Sequence, residues 1–150
     1  MFLYKGELAM QTRRTPRAGV TLIELMVVVA IIGLFVALVG PAIFKQLGKG
    51  QATAAKSQIE SFMTALGTYK LDVGAFPTTE QGLQALRVKP GDVANWNGPY
   101  LPKDVPQDPW HHPYVYKYPG DHGDEPDIMS YGGDGQPGGE GDNADIVSWK

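Results

Sequence analysis

Two short runs in this chain carry residue types whose spacing could do chemistry. The first is Gly19-Val20-Thr21-Leu22-Ile23-Glu24, where one carboxylate stands at the mouth of an apolar segment with no other ionisable side chain from Leu25 to Phe44. A carboxylate inside such a segment costs on the order of 2.5–3.5 kcal/mol on insertion scales. Glu24 therefore either stays wet at the interface or pairs with a cation from another copy of the chain. The second run is Tyr131 to Asp145, in which Asp134, Glu140, Asp142 and Asp145 sit on glycine-rich backbone. Hard oxygen ligands on a flexible loop are what Ca²⁺ prefers, about 6–8 of them, backbone carbonyls included. Asp134 and Asp145 fall on the first and twelfth places of an EF-hand register with Gly139 on the sixth, but Gln136 and Gly138 hold the third and fifth and no helical pattern flanks the loop. An EF-hand is excluded on that ground. One Gly-Gly-Glu-Gly-Asp also falls short of the repeated array of a β-helix calcium site. On chemistry alone, a Ca²⁺ site and a solvated acidic turn both stay open. His111 and His112 are adjacent, so in extended backbone their rings point apart, which makes them loop histidines rather than a metal pair.

These runs need elements to position them. From Val20 to Phe44 a helix would rise about 37 Å against a hydrocarbon core of about 30 Å, enough to span with some tilt. Arg13, Arg14 and Arg17 precede the segment and only Lys45 and Lys49 follow it, which places the N-terminus in the cytoplasm and the remainder outside. An ordinary signal peptide is the alternative, but its apolar region runs about 7–15 residues and carries no acid at its start. Met1 to Ala9 do not read as a leader, and Met10 is an alternative start. Pro41, beside Gly40, removes the hydrogen bond to the Ala37 carbonyl and is expected to kink or locally melt the helix.

Beyond the apolar half, Ala52, Ala55, Ile59, Phe62, Leu66, Tyr69 and Val73 recur at steps of three and four, while Lys56, Gln58, Glu60 and Lys70 fall elsewhere. That half is amphipathic and carries a globular head. Gly74 to Pro77 should end it. A threonine cap then precedes a short helix through Leu86, and Gly91 to Pro113, dense in proline and aromatics, reads as a long ordered loop packed by its own rings. Tyr114–Tyr118, Asp127–Tyr131 and Ile146–Trp149 have the content of short strands, antiparallel because their connections lack room for crossover helices. The fold class is α+β: one long N-terminal helix packed on a small antiparallel β-sheet head.

Composition bounds the rest. With no cysteine in 150 residues, no disulfide can staple a small extracytoplasmic head, and such heads often need a metal or an oligomer instead. The formal charge is −3, and removing residues 1–19, with four cations against one anion, leaves −6. Nucleic acid is excluded as a natural partner. The head shows no Ser/His/Asp order and its acids gather in one turn rather than around a pocket, so no catalytic site is expected.

The run Gly19 to Glu24, with arginines before it and an apolar helix after it, resembles the type IV prepilin cleavage motif. The resemblance implies cleavage between Gly19 and Val20 by a membrane-embedded prepilin peptidase and methylation of the new Val20 amine. It further implies that Glu24 neutralises the Val20 amine of a neighbouring subunit during assembly. The family usually has Phe at the Val20 position. Phe76-Pro77-Thr78-Thr79-Glu80-Gln81-Gly82-Leu83-Gln84-Ala85-Leu86, Gly98-Pro99-Tyr100-Leu101, Asp108-Pro109-Trp110 and Glu140-Gly141-Asp142-Asn143-Ala144-Asp145-Ile146 are similar to the major pseudopilins of type II secretion systems, a pilin-like fold.

That resemblance implies residues 1–19 as leader, 20–44 as membrane and filament-core helix, and 45–150 as a periplasmic head. It implies a single pass of the bacterial inner membrane and a homopolymer through the N-terminal helix, the periplasmic pseudopilus that exports folded proteins. Minor pseudopilins and an inner-membrane secretion platform are the implied partners. It also implies Ca²⁺ in the final loop, with side-chain ligands Asp134, Asp145 and a third in Asp142, and backbone ligands at Tyr131 and Gln136. The family often has Leu at the Tyr131 position and Gly-Asn at His111 and His112. A type IV pilus subunit for adhesion or motility is the alternative filament, disfavoured by the lack of cysteine and by the final loop, and a secreted calcium-binding protein or calcium-dependent enzyme is the remaining class.

Overall fold

The computed structural model describes residues 19–91 and 93–150. Residues 1–18, with the arginine cluster, the alternative start at Met10 and all but the last residue of the expected leader, lie outside the described residues. One helix dominates: α1 runs from Leu22 to Val73, 52 residues. It starts where Thr21 Oγ1 accepts the backbone N–H of Glu24 at 3.2 Å, a Thr-x-x-Glu start that satisfies one orphan donor of the first turn. It stops where Gly74 takes a positive φ of 91° and donates its N–H to the Lys70 carbonyl at 2.8 Å, the role glycine performs because it has no Cβ to clash.

Pro41 lies inside α1. The local melting expected there is absent. A proline φ is already helical, and the loss of one hydrogen bond does not end a helix whose neighbouring turns remain bonded.

The chain divides at Gly40 and Pro41 into two compact units. In the first, the large apolar side chains from Leu22 to Val39 are 46–79% exposed, so nothing among the described residues covers them. This part of α1 is long and apolar enough to cross a membrane.

The second unit holds the core. Its helical contribution is Ala55, Ile59, Phe62, Ala65, Leu66 and Tyr69: the middle of the expected stripe with Ala65 added, while its two ends, Ala52 and Val73, are only half-buried. Against it stands a three-stranded antiparallel sheet: β1 Val115–Lys117, β2 Asp127–Ser130 and β3 Ile146–Val147, with β2 central. Tyr116 is opposite Ile128, and Met129 opposite Val147. The buried pair Tyr116 and Ile128 presents the sheet face to the helix. The strands are shorter than their sequence pattern suggests because glycine- and proline-rich turns claim their ends.

The expected capped helix before Leu86 is a 3₁₀ turn, Leu83–Leu86, whose own cap is Gly82. Thr78 does not cap it. Thr78 and Gln81 bond reciprocally, side chain to backbone, at 2.9 and 3.3 Å, which closes the preceding turn instead. The long loop is held as expected by its rings: Trp96 Nε1 donates to the Ala85 carbonyl at 2.8 Å, and Tyr100 packs edge-on against both Tyr69 and Trp96.

Two core tyrosines give an alkaline limit to stability. Tyr116 donates its hydroxyl to the Pro77 carbonyl at 2.8 Å, and Tyr114 donates to Gln58 Oε1. Burial raises both hydroxyls well above their ordinary value of 10.0, aided by the Asp108 charge near Tyr114 and by Tyr118 and Tyr69 near Tyr116. A pKa raised in the folded state means stability is complete below the unfolded value and falls as pH rises past it, by about 1.4 kcal/mol per pH unit for each group. The urea midpoint should therefore drop between pH 10 and 11. The Tyr114→Phe, Tyr116→Phe double variant should show a shallower drop, and equal slopes would remove these two groups as its cause.

Candidate functional site

Glu24 stands in the first turn of α1 and is exposed. Among the described residues its carboxylate has no ion pair. A negative side chain in a first turn is favoured by the helix dipole by a few tenths to about 1 kcal/mol, less than its insertion cost, so a cation is still wanted. Gly19 and Val20 precede the helix in non-helical backbone and are exposed. The Thr21 cap was legible as Thr-x-x-Glu and adds to the motif: it fixes the helix start at Leu22, two residues after Val20.

The acidic loop is built on glycine. Gly132, Gly135, Gly138, Gly139 and Gly141 all have positive φ. Tyr131 caps the 3₁₀ turn Gly132–Asp134, and Asp134 Oδ1 accepts the N–H of Gln136 at 3.1 Å. The far side folds back on this turn. A Cβ on Gly132 would stand 2.8 Å from the Ala144 carbonyl, and one on Gly139 would overlap the Asn143 carbonyl. Asp145 Oδ2 accepts the Gly138 N–H at 2.9 Å. Asp145 Oδ1 is buried and has no hydrogen-bond partner among the described residues. A buried, unpaired carboxylate oxygen is costly, and a bound cation would remove the cost.

The five residues proposed by sequence do not all converge. The Asp142 carboxylate, expected as a third side-chain ligand, lies against α1 at Gly48, where any Cβ would overlap it. Among the described residues no three His, Asp or Glu side chains gather at metal-ligating distance. A Ca²⁺ ion here would draw on Asp134, Asp145 and backbone carbonyls, a donor set of hard oxygens that suits it.

Two buried carboxylates escaped sequence reasoning. Asp108, 2% exposed, accepts the N–H groups of Trp110 and His112 on Oδ1 at 3.0 and 2.8 Å and the Ser130 hydroxyl on Oδ2 at 2.5 Å. His112 Nδ1 lies 3.2 Å from the Gly132 carbonyl, so this turn braces the acidic loop and His112 has a structural place. Asp127, 3% exposed, takes the Asp121 N–H and His122 Nδ1, each at 2.8 Å, and His122 stacks at 3.8 Å on Trp149. The signal for Asp108 was present in Asp-Pro-Trp, an aspartate poised to bond backbone two residues on. The partner of its other oxygen, Ser130, is 22 residues away in sequence.

Residues 42–149 match the family model described as type II secretion system (T2SS), protein G, and residues 14–40 match the prokaryotic N-terminal methylation motif. The chain is 44% identical to the type II secretion system core protein G of Pseudomonas aeruginosa over 140 residues, covering 91% of this chain and 98% of that one. It is 43% identical to the protein of the same name in Vibrio cholerae over 136 residues, covering 89% and 92%. The crystal structure of the major pseudopilin from the type 2 secretion system of enterohaemorrhagic Escherichia coli superposes with a TM-score of 0.55 at 37% identity, covering 67% of this chain and 88% of that one. The lone acid at the mouth of an apolar helix and the small antiparallel head thus have one explanation: this chain belongs to the type II secretion protein G family, the pilin-like structural subunits of the pseudopilus.

Proposed function

We propose that the chain is cut between Gly19 and Val20 by a prepilin peptidase and methylated at Val20. The mature form crosses the inner membrane once through residues 20–44, N-terminus cytoplasmic and head periplasmic. It polymerises through α1, with minor pseudopilins and the inner-membrane platform as further partners, to drive export of folded proteins. Its role is structural, without catalysis. The observation that carries this reading is Glu24: a carboxylate with no ion pair among the described residues, on an apolar helix end that none of those residues covers. Cleavage before Val20 creates a cation four residues from it, and assembly supplies that cation from a neighbour. Within the head, Asp134, Asp145 and the carbonyls of Tyr131 and Gln136 would hold Ca²⁺, tying the last strand to the loop before it in a chain that has no disulfide.

The test is Glu24→Ala. Thr21 accepts the backbone N–H of residue 24, so the helix start survives the substitution and only the carboxylate is lost. Sedimenting polymer and exoprotein release should fall at least about tenfold, the factor that 1.4 kcal/mol of lost pairing would give, while membrane insertion persists. Glu24→Gln, which keeps shape without charge, should fail in the same way. Polymer at the level of the unmodified chain in either variant would contradict the pairing role.

A further inference from the structure

Beyond the apolar half of α1, Leu47, Leu71 and Val88 are the large hydrophobic side chains left exposed among the described residues. Leu71, 86% exposed, is the most exposed of all. It lies two positions past the buried Tyr69, about 200° round the helix, and so faces away from the head's own core. Lys70 and Asp72 flank it.

On the core side of α1 a cleft of about 240 Å³ opens between the helix and the loop that follows the 3₁₀ turn. Phe62, Leu101, Pro102 and Pro106 line it, and the exposed Lys103 and Asp104 stand at its edge. The cleft is smaller than the roughly 300 Å³ at which small-molecule pockets begin. One aliphatic side chain suits it better than a metabolite does. Asp104 holds Arg87 at 3.1 Å, whereas Lys103 has no ion pair among the described residues.

We propose that Leu71 of one copy seats in this cleft of the next copy, a contact between heads in addition to the packing of apolar helices. The claim rests on the filament reading above. Charge complementarity favours one orientation: the knob is flanked by a cation and an anion, Lys70 and Asp72, and the cleft by Lys103 and Asp104. One approach sets Asp72 against the partner copy's Lys103 and Lys70 against its Asp104, Lys70 leaving its own Phe76 ring 4.5 Å away and Asp104 already holding Arg87, whereas the reversed approach sets like charges together. Asp72 also accepts the Tyr100 hydroxyl at 2.9 Å, which holds it in place beside the knob. Leu71 stands nine positions past Phe62, half a turn out of phase at about 100° per residue and some ~13 Å further along the axis. A knob and a hole on opposite faces cannot both be filled in a two-fold pair. Such a contact repeats head to tail without closing and propagates a filament.

The chain has no cysteine, so cross-linking can be read without background. The full-length chain carrying Leu71→Cys and Pro102→Cys should, on oxidation in membranes that hold the secretion platform, give a ladder of dimers, trimers and longer species. Sedimentation of polymer is measured on the same samples. Polymer that sediments without a ladder overturns the contact and leaves the filament reading intact, while an unmodified chain that forms no sedimenting polymer overturns both. Leu71→Asp should lower sedimenting polymer about tenfold with an unchanged melting temperature, because Leu71 contributes nothing to the head's core. Polymer at the unmodified level in Leu71→Asp also overturns the proposal.

Discussion

Asp108→Ala should be the most destabilising single change in the head, lowering its stability by on the order of 3 kcal/mol and its melting temperature by roughly 10 °C or more. The carboxylate is 2% exposed and accepts three hydrogen bonds, two from backbone N–H groups of its own turn and one from the fully buried Ser130. Alanine removes every acceptor at once and leaves the buried Ser130 hydroxyl and two half-buried N–H groups without it, and an unpaired buried donor costs about 1–3 kcal/mol. Asp108→Asn separates this cause from loss of charge. Its carbonyl oxygen can still accept from Trp110 and His112, and the Ser130 hydroxyl can turn to accept from its amide, so the loss should shrink to about 1 kcal/mol. Thermal unfolding followed by near-ultraviolet circular dichroism measures both. If Asp108→Ala melts with the unmodified chain, the buried hub is not what braces the loop.

What could be read from the residues alone was local. The amphipathic stripe through Ala55, Ile59, Phe62, Leu66 and Tyr69, the three strands and the glycine stop at Gly74 all follow from periodicity and turn chemistry within a few residues. Thr21 was equally local, a cap in a Thr-x-x-Glu frame, overshadowed by the carboxylate three residues on. Pro41 does not melt the helix, because the loss of one hydrogen bond is small beside the bonded turns of a helix 52 residues long. The parts that sequence did not show are pairings across long separations. Asp108 meets Ser130 22 residues away, and Asp142 meets Gly48 across most of the head. No periodicity connects such residues. Gly48 gave the one available hint, since a glycine inside a helix often marks a close approach of something else.

Ca²⁺ added to the folded protein should raise its melting temperature by roughly 10 °C, the effect of about 2.7 kcal/mol at a hundredfold excess over the dissociation constant, and a chelator should reverse it. The orphaned Oδ1 of Asp145 is the reason to expect a cation in this loop. Asp145 also lines a cleft with Lys56 and Lys150, so a lysine ammonium is the competing partner. The two explanations part in the variants. With Ca²⁺ as partner, Asp145→Ala and Asp134→Ala abolish the rise, and Lys56→Ala keeps it. Asp142→Ala keeps most of the rise too, because its carboxylate rests on α1 at Gly48 and no three acidic side chains gather at metal-ligating distance among the described residues. With lysine as partner, chelator leaves the melting curve unchanged and Lys56→Ala lowers it. Loss of the rise in Asp142→Ala alone would mean that this side chain leaves Gly48 to join the site, and the loop would then be coupled directly to the helix that carries the head.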